Sequence, residues 1–464
     1  MTTSLDRSLL DQVAVSLVSL RDSVASHYPG EPSARQPAHT VYGGAHLFRS
    51  NSVAKLGEIG LRFLEEYAPT PEALANVLEL ADPGVAATVH QRIVDKLIHE
   101  PVEDFRLDFE DGYGNRPDTE EDACAIVAAE AVAQGMADDT LPPFIGIRVK
   151  PFSPELYPRA SRTLDLFFSS LLRQTGNELP AVCVVTLPKV VGSAQVAGLA
   201  TLLTALENAA GLNHGTIKIE LMVETTQSII DAEGRCPLPA FVAAAEGRCT
   251  GAHFGVYDYT ASCGITAAHQ GMRHPTCEHA RQVMQQALAG TCVWLSDGAT
   301  NVLPVPPHRP DPAGALLDTE QLAANRRTVH DAWRLHFDDV RHSLTTGFYQ
   351  GWDLHPAQLV TRYAALYSFF LEGYDSASAR LHNFIDQADQ GGLSGLVDEI
   401  VQAAQATLIG DVFDDPATGQ ALLNYFLRAL NCGAIAKSEA LATGLTLEEL
   451  ESRSFLKIME GRNR

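Results

Sequence analysis

Short apolar runs recur along the chain, each closed by a turn and followed by a longer stretch with apolar residues at helical spacing. Eight stand out: HTVYGGAHLF (39–48), FRLDFEDG (105–112), FIGIRVKPF (144–152), AVCVVTLPKV (181–190), IKIELMVET (217–225), GAHFGVYDYT (251–260), GTCVWLSDGAT (290–300) and GFYQGWDLHP (347–356). Their apolarity reads as continuous, which suits strands buried on both faces, and strands alternating with helices imply a parallel sheet. The polar strand ends at 110, 148, 189, 224 and 258 are 38, 41, 35 and 34 residues apart. One βα unit of a (β/α)8 barrel takes roughly 31 residues. The pattern predicts an α/β fold: a (β/α)8 TIM barrel over 39–360, with an N-terminal helical lead-in over 1–38 and a C-terminal helical extension over 361–464.

The lead-in begins as one amphipathic helix and ends in YPGEPSARQPAH, whose prolines cannot continue it. The extension carries apolar faces at three- and four-residue spacing, which a closed barrel does not need. It is expected to pack against a neighbouring subunit or to cover the barrel mouth. Between the seventh and eighth runs, the proline-rich VLPVPPHRPDPAGAL (302–316) reads as a surface loop over the mouth or an insertion.

Composition then narrows the partners. The chain has 464 residues, 45% of them hydrophobic, enough for a substantial core. Its formal charge of −23 repels nucleic acid and anionic membrane surfaces, so neither is expected as a partner. No apolar run reaches the length of a membrane span, and an aspartate interrupts the apolar pattern of the first twenty residues, which points to a cytoplasmic location. The eight cysteines include no CxxC pair and read as buried free thiols.

In such barrels chemistry sits at the C-terminal ends of the strands. The polar residues there are Glu110 and Asp111, Arg148, Lys189, Glu224, Asp258 and His355. The crowding of Asp108, Glu110 and Asp111 within LDFEDGYG requires a cation, an arginine or a shared proton to offset the repulsion. Glu224 and Asp258, from neighbouring strands, bring hard oxygen donors to one point. Magnesium suits such a pair, with manganese as the alternative. Glu110 and Asp111 then orient Arg148 or accept hydrogen bonds from metal waters. Arg148 shares its phase with Gly146 and Lys150, so it is expected to point into the barrel and to pair with Glu110. His253 reads as a core or rim residue rather than a ligand.

The order DFED, IRVKP, LPKV, VET, FGVYDYTASCG and GWDLHPAQL, over roughly residues 39 to 365, resembles the HpcH/HpaI aldolase and citrate lyase beta-subunit family. The resemblance implies a magnesium-dependent barrel enzyme that makes or breaks a carbon–carbon bond next to a carbonyl, on a 2-oxo acid or a hydroxyacyl (acyl-CoA) substrate. By motif, Glu224 and Asp258 become the metal ligands and Arg148 the residue that steadies the enolate. Glu110, Lys189, Thr225 and His355 become supporting or substrate-binding residues. The base stays open between a metal-bound hydroxide, Asp111 and a carboxylate from a neighbouring subunit. The first run departs from the family in ending GGAHLF, with His46 and Leu47 where a Pro-Gly-Asp-Arg type loop is usual. Arg49, Lys55 and Arg116 are the candidates to meet the phosphates of coenzyme A. The resemblance also implies a homo-oligomer, a trimer or hexamer. A malate-synthase-like condensing enzyme and a catalytically inactive metabolite-binding or scaffold subunit are the other readings.

Overall fold

The short apolar runs form parallel β-strands, and all eight close into one barrel. They are β1 (His39–Gly44), β2 (Asp104–Asp108), β3 (Phe144–Arg148), β4 (Cys183–Leu187), β5 (Lys218–Val223), β6 (Cys249–Phe254), β7 (Trp294–Ala299) and β8 (Gln350–Asp353), each paired with the next and β8 with β1. The computed structural model describes residues 5–30, 32, 34–310, 316–389 and 416–462. Part of the proline-rich stretch (311–315) and part of the extension (390–415) therefore lie outside the described residues. Among the described residues, no helix is long and apolar enough to cross a membrane.

Successive side chains of a strand face opposite ways, and here the two faces differ in kind. Phe105 and Leu107 on β2, Ile145 and Ile147 on β3, and Val185 and Leu187 on β4 are buried in the apolar core. Arg106, between the first two, turns inward and crosses the lumen. Its Nη2 lies 2.7 Å from Glu220 Oε1 on β5, and its Nε donates to Thr186 Oγ1 on β4 at 3.0 Å. Asp104 also pairs with Arg106, and His253 on β6 stands 3.1 Å from the same Glu220. The expectation of apolarity on both faces is corrected: the lumen is charged. A closed barrel tolerates this because each inward charge finds its counter-charge on a nearby strand.

Before the barrel stands α1 (Arg7–His27), none of whose residues is buried. Between β1 and β2 the chain makes α2 (Ser52–Tyr67), α3 (Pro71–Leu78) and α4 (Pro83–His99). Pro71 and Pro83 open their helices behind Thr70 and Asp82, whose side chains accept first-turn N–H groups. After β8, a helix over Gln358–Asp389 is followed by one over Pro416–Asn431 and three short helices. Arg428 donates to Gln36, which in turn donates to Leu295 O at 3.2 Å near the start of β7. Arg92 on α4 pairs with Glu439 at 3.0 Å. The described part of the extension thus packs at the N-terminal end of its own barrel, away from the mouth. The apolar faces of that part serve the contact, so for the described residues the expectation of a cover over the mouth is corrected.

The barrel closes where β8 meets β1, and Asp353 ties that seam. His39 Nδ1 donates to Asp353 Oδ2 at 2.6 Å, while Glu103 N–H donates to His39 Nε2 at 3.1 Å and so fixes the proton on Nδ1. His336 and Arg362 reach the other oxygen at 3.1 and 2.9 Å. Burial alone would raise this carboxyl's pKa, but Arg362, His336 and His39 outweigh it and hold the group well below the usual carboxylate range.

Asp353→Ala leaves a guanidinium buried without its partner and should lower the unfolding free energy by about 3–5 kcal/mol, read from urea titration. The folded pKa lies below the unfolded one, so this contribution is complete above about pH 4 and lost only as acid takes the pH down through the folded value. A loss under about 1 kcal/mol at neutral pH, the scale of an exposed pair, would show that the seam does not depend on this carboxylate.

Candidate functional site

Asp108 ends β2, and the next residues wrap around its carboxylate. Oδ1 accepts the N–H of Glu110 at 3.0 Å and Oδ2 that of Gly112 at 2.7 Å. A Cβ on Gly112 would stand 2.6 Å from Asp108 Oδ2, so only glycine fits this turn. The same two oxygens take one edge of the guanidinium on β3: Arg148 Nε donates to Oδ1 at 2.7 Å and Nη2 to Oδ2 at 2.5 Å. Arg148 is 2% exposed and lies over the rings of Tyr42 and Trp352, 4.9 and 5.4 Å from their centroids. It points inward, as its phase predicts. Glu110 is a second partner, with Oε2 3.0 Å from Nη1, but the bidentate one is Asp108. That contact is outside hydrogen-bond geometry, so Nη1 and Glu110 Oε2 are both buried without a hydrogen-bond partner.

Lys189, two residues beyond β4, stands among the remaining carboxylates. Its Nζ donates to Glu110 Oε1 at 2.5 Å and lies 3.5 Å from Asp258 and 3.7 Å from Asp111. Its own N–H donates to Glu224 Oε1 at 2.7 Å, from a left-handed backbone with φ of 51°. One residue therefore holds Glu224 with its main chain and Glu110 with its side chain. Burial acts against the ammonium, yet Glu224 and Glu110 raise its pKa above the ordinary lysine value.

Glu224 follows β5 directly and is 1% exposed. Gly255 gives it room, since a Cβ there would meet Glu224 Oε2 at 2.7 Å. Burial pushes the Glu224 carboxyl up to about 8; Lys189 opposes that rise, and Glu110 and Asp258 add to it. Asp258 was expected on the sixth strand. β6 instead ends at Phe254, and Asp258 occupies the first turn of a helix over Val256–Ser262, where an acidic side chain is favoured by the helix dipole. Glu110 is also raised, by burial first, with Asp111 adding and Arg148 and Lys189 opposing.

The structure thus brings Arg148, Lys189, Glu110, Asp111, Glu224 and Asp258 together at the mouth. Thr225 is adjacent but engaged: its hydroxyl donates to Val190 O at 2.8 Å and accepts Ser228 N–H at 3.2 Å. His355 stands apart, with its ring edge-on to Phe63 and its Nδ1 accepting Ala357 N–H at 3.2 Å. Arg49 donates to the carbonyls of His46 and Phe48, Arg116 pairs with Glu120 over the Tyr113 ring, and Lys55 lines a mostly apolar cavity of about 260 Å³. Tyr42 and Trp352 are the site residues that the sequence reading missed, and Asp108, one of the crowded carboxylates, was not paired with Arg148. The signal for Asp108 was its shared phase with Arg106.

Among the described residues, no three His, Cys, Asp or Glu side chains form a metal-binding group, and an ammonium stands between the carboxylates. The donor set nevertheless fits a hard cation. Five carboxylates, with Asp108, face two cationic side chains, and Glu224 has its pKa raised by burial, with Glu110 and Asp258 adding to the rise. Magnesium needs only one or two protein carboxylates, because water and substrate oxygens complete its shell.

A family model described as Domain of unknown function (DUF6986) matches residues 17–458. No curated protein matches the chain. Among solved structures, protein CitE from Mycobacterium tuberculosis in complex with magnesium and acetoacetate is 17% identical, with a TM-score of 0.37 over 72% of this chain and 91% of that one. The same protein with magnesium, acetoacetate and coenzyme A is 16% identical, with a TM-score of 0.43 over 86% and 99%. Haloferax volcanii malate synthase at 3 mM glyoxylate is 13% identical, with a TM-score of 0.45 over 94% and 99%.

Lys189→Met removes the ammonium shared by Glu110, Asp111 and Asp258. In metal-free buffer it should lower stability by about 1–3 kcal/mol, the range for leaving a buried charged group unsatisfied. Millimolar magnesium should restore most of that loss, because a ligand bound only by the native state stabilises it. Urea curves with and without magnesium test this; a variant that magnesium does not stabilise shows that these oxygens hold no cation.

Proposed function

The chain belongs to the DUF6986 family, and we propose that it is a magnesium-dependent carbon–carbon lyase or aldolase acting through an enolate on a 2-oxo acid or hydroxyacyl substrate. One observation carries this reading: a buried guanidinium has one edge locked by Asp108 while its Nη1 N–H has no hydrogen-bond partner, beside an oxygen-only carboxylate set. Breaking a bond next to a carbonyl leaves negative charge on that oxygen. A fixed N–H donor in a water-poor wall stabilises such charge without having to reorganise first.

The roles follow from position. Arg148 offers Nη1 to the developing enolate oxygen, held in place by Asp108 and by the rings of Tyr42 and Trp352. Glu224 and Asp258 would hold the metal, which when bound supplies Lewis-acid polarisation of the carbonyl. Lys189 holds the Glu110 carboxylate beside Arg148 and fixes Glu224 through its backbone. Asp111 is 62% exposed and closest to solvent, a position suited to exchanging a proton with substrate at the mouth. The motif order that resembles the aldolase and citrate lyase family supports the same reading. The substrate is a small molecule, with or without a coenzyme A handle, and one site serves cleavage and condensation alike.

Incubation with 2-oxo acids and hydroxyacyl thioesters should show carbon–carbon cleavage that EDTA abolishes and magnesium or manganese restores. Arg148→Lys should fold and lose kcat by about 10² to 10³-fold, the scale of one oxyanion donor. Glu224→Gln and Asp258→Asn should each abolish calorimetric magnesium binding. Cleavage that persists in EDTA, or unchanged turnover in Arg148→Lys, would overturn the assignment.

A further inference from the structure

Among the described α-helices, α1 alone buries no residue. It spans 21 residues, RSLLDQVAVSLVSLRDSVASH, about 30 Å of helix at 1.5 Å per residue. Its N-cap, Asp6, makes no side-chain cap hydrogen bond. A helix of this length without packing is weakly stable in water, since most helical stability in proteins comes from burying an apolar face. Leu10, Val13, Leu17, Leu20 and Val24 recur at alternating spacings of three and four along one face, and all are between 47% and 59% exposed. That is the a and d pattern of a coiled-coil seam.

We propose that α1 is a self-association element: the occupant of its apolar face is α1 of a second copy, paired about a two-fold axis. The pattern itself favours this occupant. An a/d repeat over about two heptads matches another helix carrying the same repeat, and the same patch on both partners closes an isologous dimer without leaving a free end. Charge favours it as well. Arg7 and Arg21 offset Asp11 and Asp22, so the helix is formally neutral on a chain of charge −23. Two such helices approach with little repulsion while the acidic bodies stay apart. A membrane surface is the poorer fit, because interfacial helices carry an excess of Lys and Arg on the polar face and this one has none.

Among the described residues, none packs on α1 closely enough to bury any of its side chains. Gly30 N–H donates to Gly290 O at 2.9 Å, which anchors the lead-in beside the start of β7. The described part of the C-terminal extension is spent on its own barrel. α1 therefore projects from the barrel end opposite the mouth, and pairing there leaves the candidate site open in both copies.

Light scattering on the full chain tests this, with one chain weighing 50.0 kDa. Leu17→Glu/Leu20→Glu places two charges in the seam and should halve the particle mass. Its barrel should unfold at the same urea midpoint, because α1 buries nothing against it. Gln12→Glu/Ser19→Glu adds the same charge to the opposite face and should keep the wild-type mass. A wild-type mass of one chain, a seam variant that keeps the wild-type mass, or a control variant that falls apart equally would each overturn the proposal.

Discussion

A guanidinium closed inside a barrel has to be matched before anything else can be arranged around it. Two are buried here, at two heights of the lumen. Arg106 is answered by Asp104 and Glu220, and Arg148 by Asp108 and Glu110. Leaving either unmatched would cost several kcal/mol, more than a typical margin of stability can absorb twice. The backbone around the site follows from that demand. Asp108 must keep both oxygens on Arg148, so the chain after β2 turns back over it, and Gly112 is the only residue that fits. The turn then sets Glu110 beside Nη1 and places Asp111 at the solvent edge. The mouth is thus built outward from one bidentate ion pair.

The barrel itself was legible because its signal is repetitive. Eight apolar runs at near-constant spacing leave few other parallel architectures, and the inward phase of Arg148 follows from strand geometry alone. What stayed hidden was the lumen. Reading FRLDF as an apolar strand end hid the alternation of Phe105, Arg106, Leu107 and Asp108, and with it the partner of Arg148. The position of Asp258 was missed for a different reason. VYDY has strand-like residues, but Gly255 in extended conformation ends β6 and starts a helix whose first turn favours the acid. The described part of the extension packs on its own barrel and not over the mouth, because an apolar helical face says that it will be covered and not by what.

LPKV marks Lys189 as a residue of the mouth but not what it holds, since its geometry depends on a left-handed backbone that only the folded loop imposes. A non-glycine residue in that region costs of order 1 kcal/mol and persists where surrounding contacts over-determine it. Here they do: the main-chain N–H is taken by Glu224 and the side chain by Glu110.

That division decides how the site would accommodate a divalent ion. Asp111 and Asp258 are 62% and 44% exposed, so water screens much of their pull on the ammonium. Glu110 is nearly dry, and at a given distance a charge pair near a protein surface interacts about four times more strongly than in bulk water. The shortest contact of Lys189 is also the one to Glu110. An ion taken by Glu224 and Asp258 would compete with Lys189 for both, buried Glu224 included, and leave its shortest contact, to Glu110, in place. Both cations would then have a place: the ammonium on the Arg148 side, fixing Glu110, and the metal, under the proposed function, on Glu224 and Asp258. The repulsion packed into DFED is relieved by a fixed lysine and a fixed arginine, and under the proposed function Glu224 and Asp258 would hold the metal.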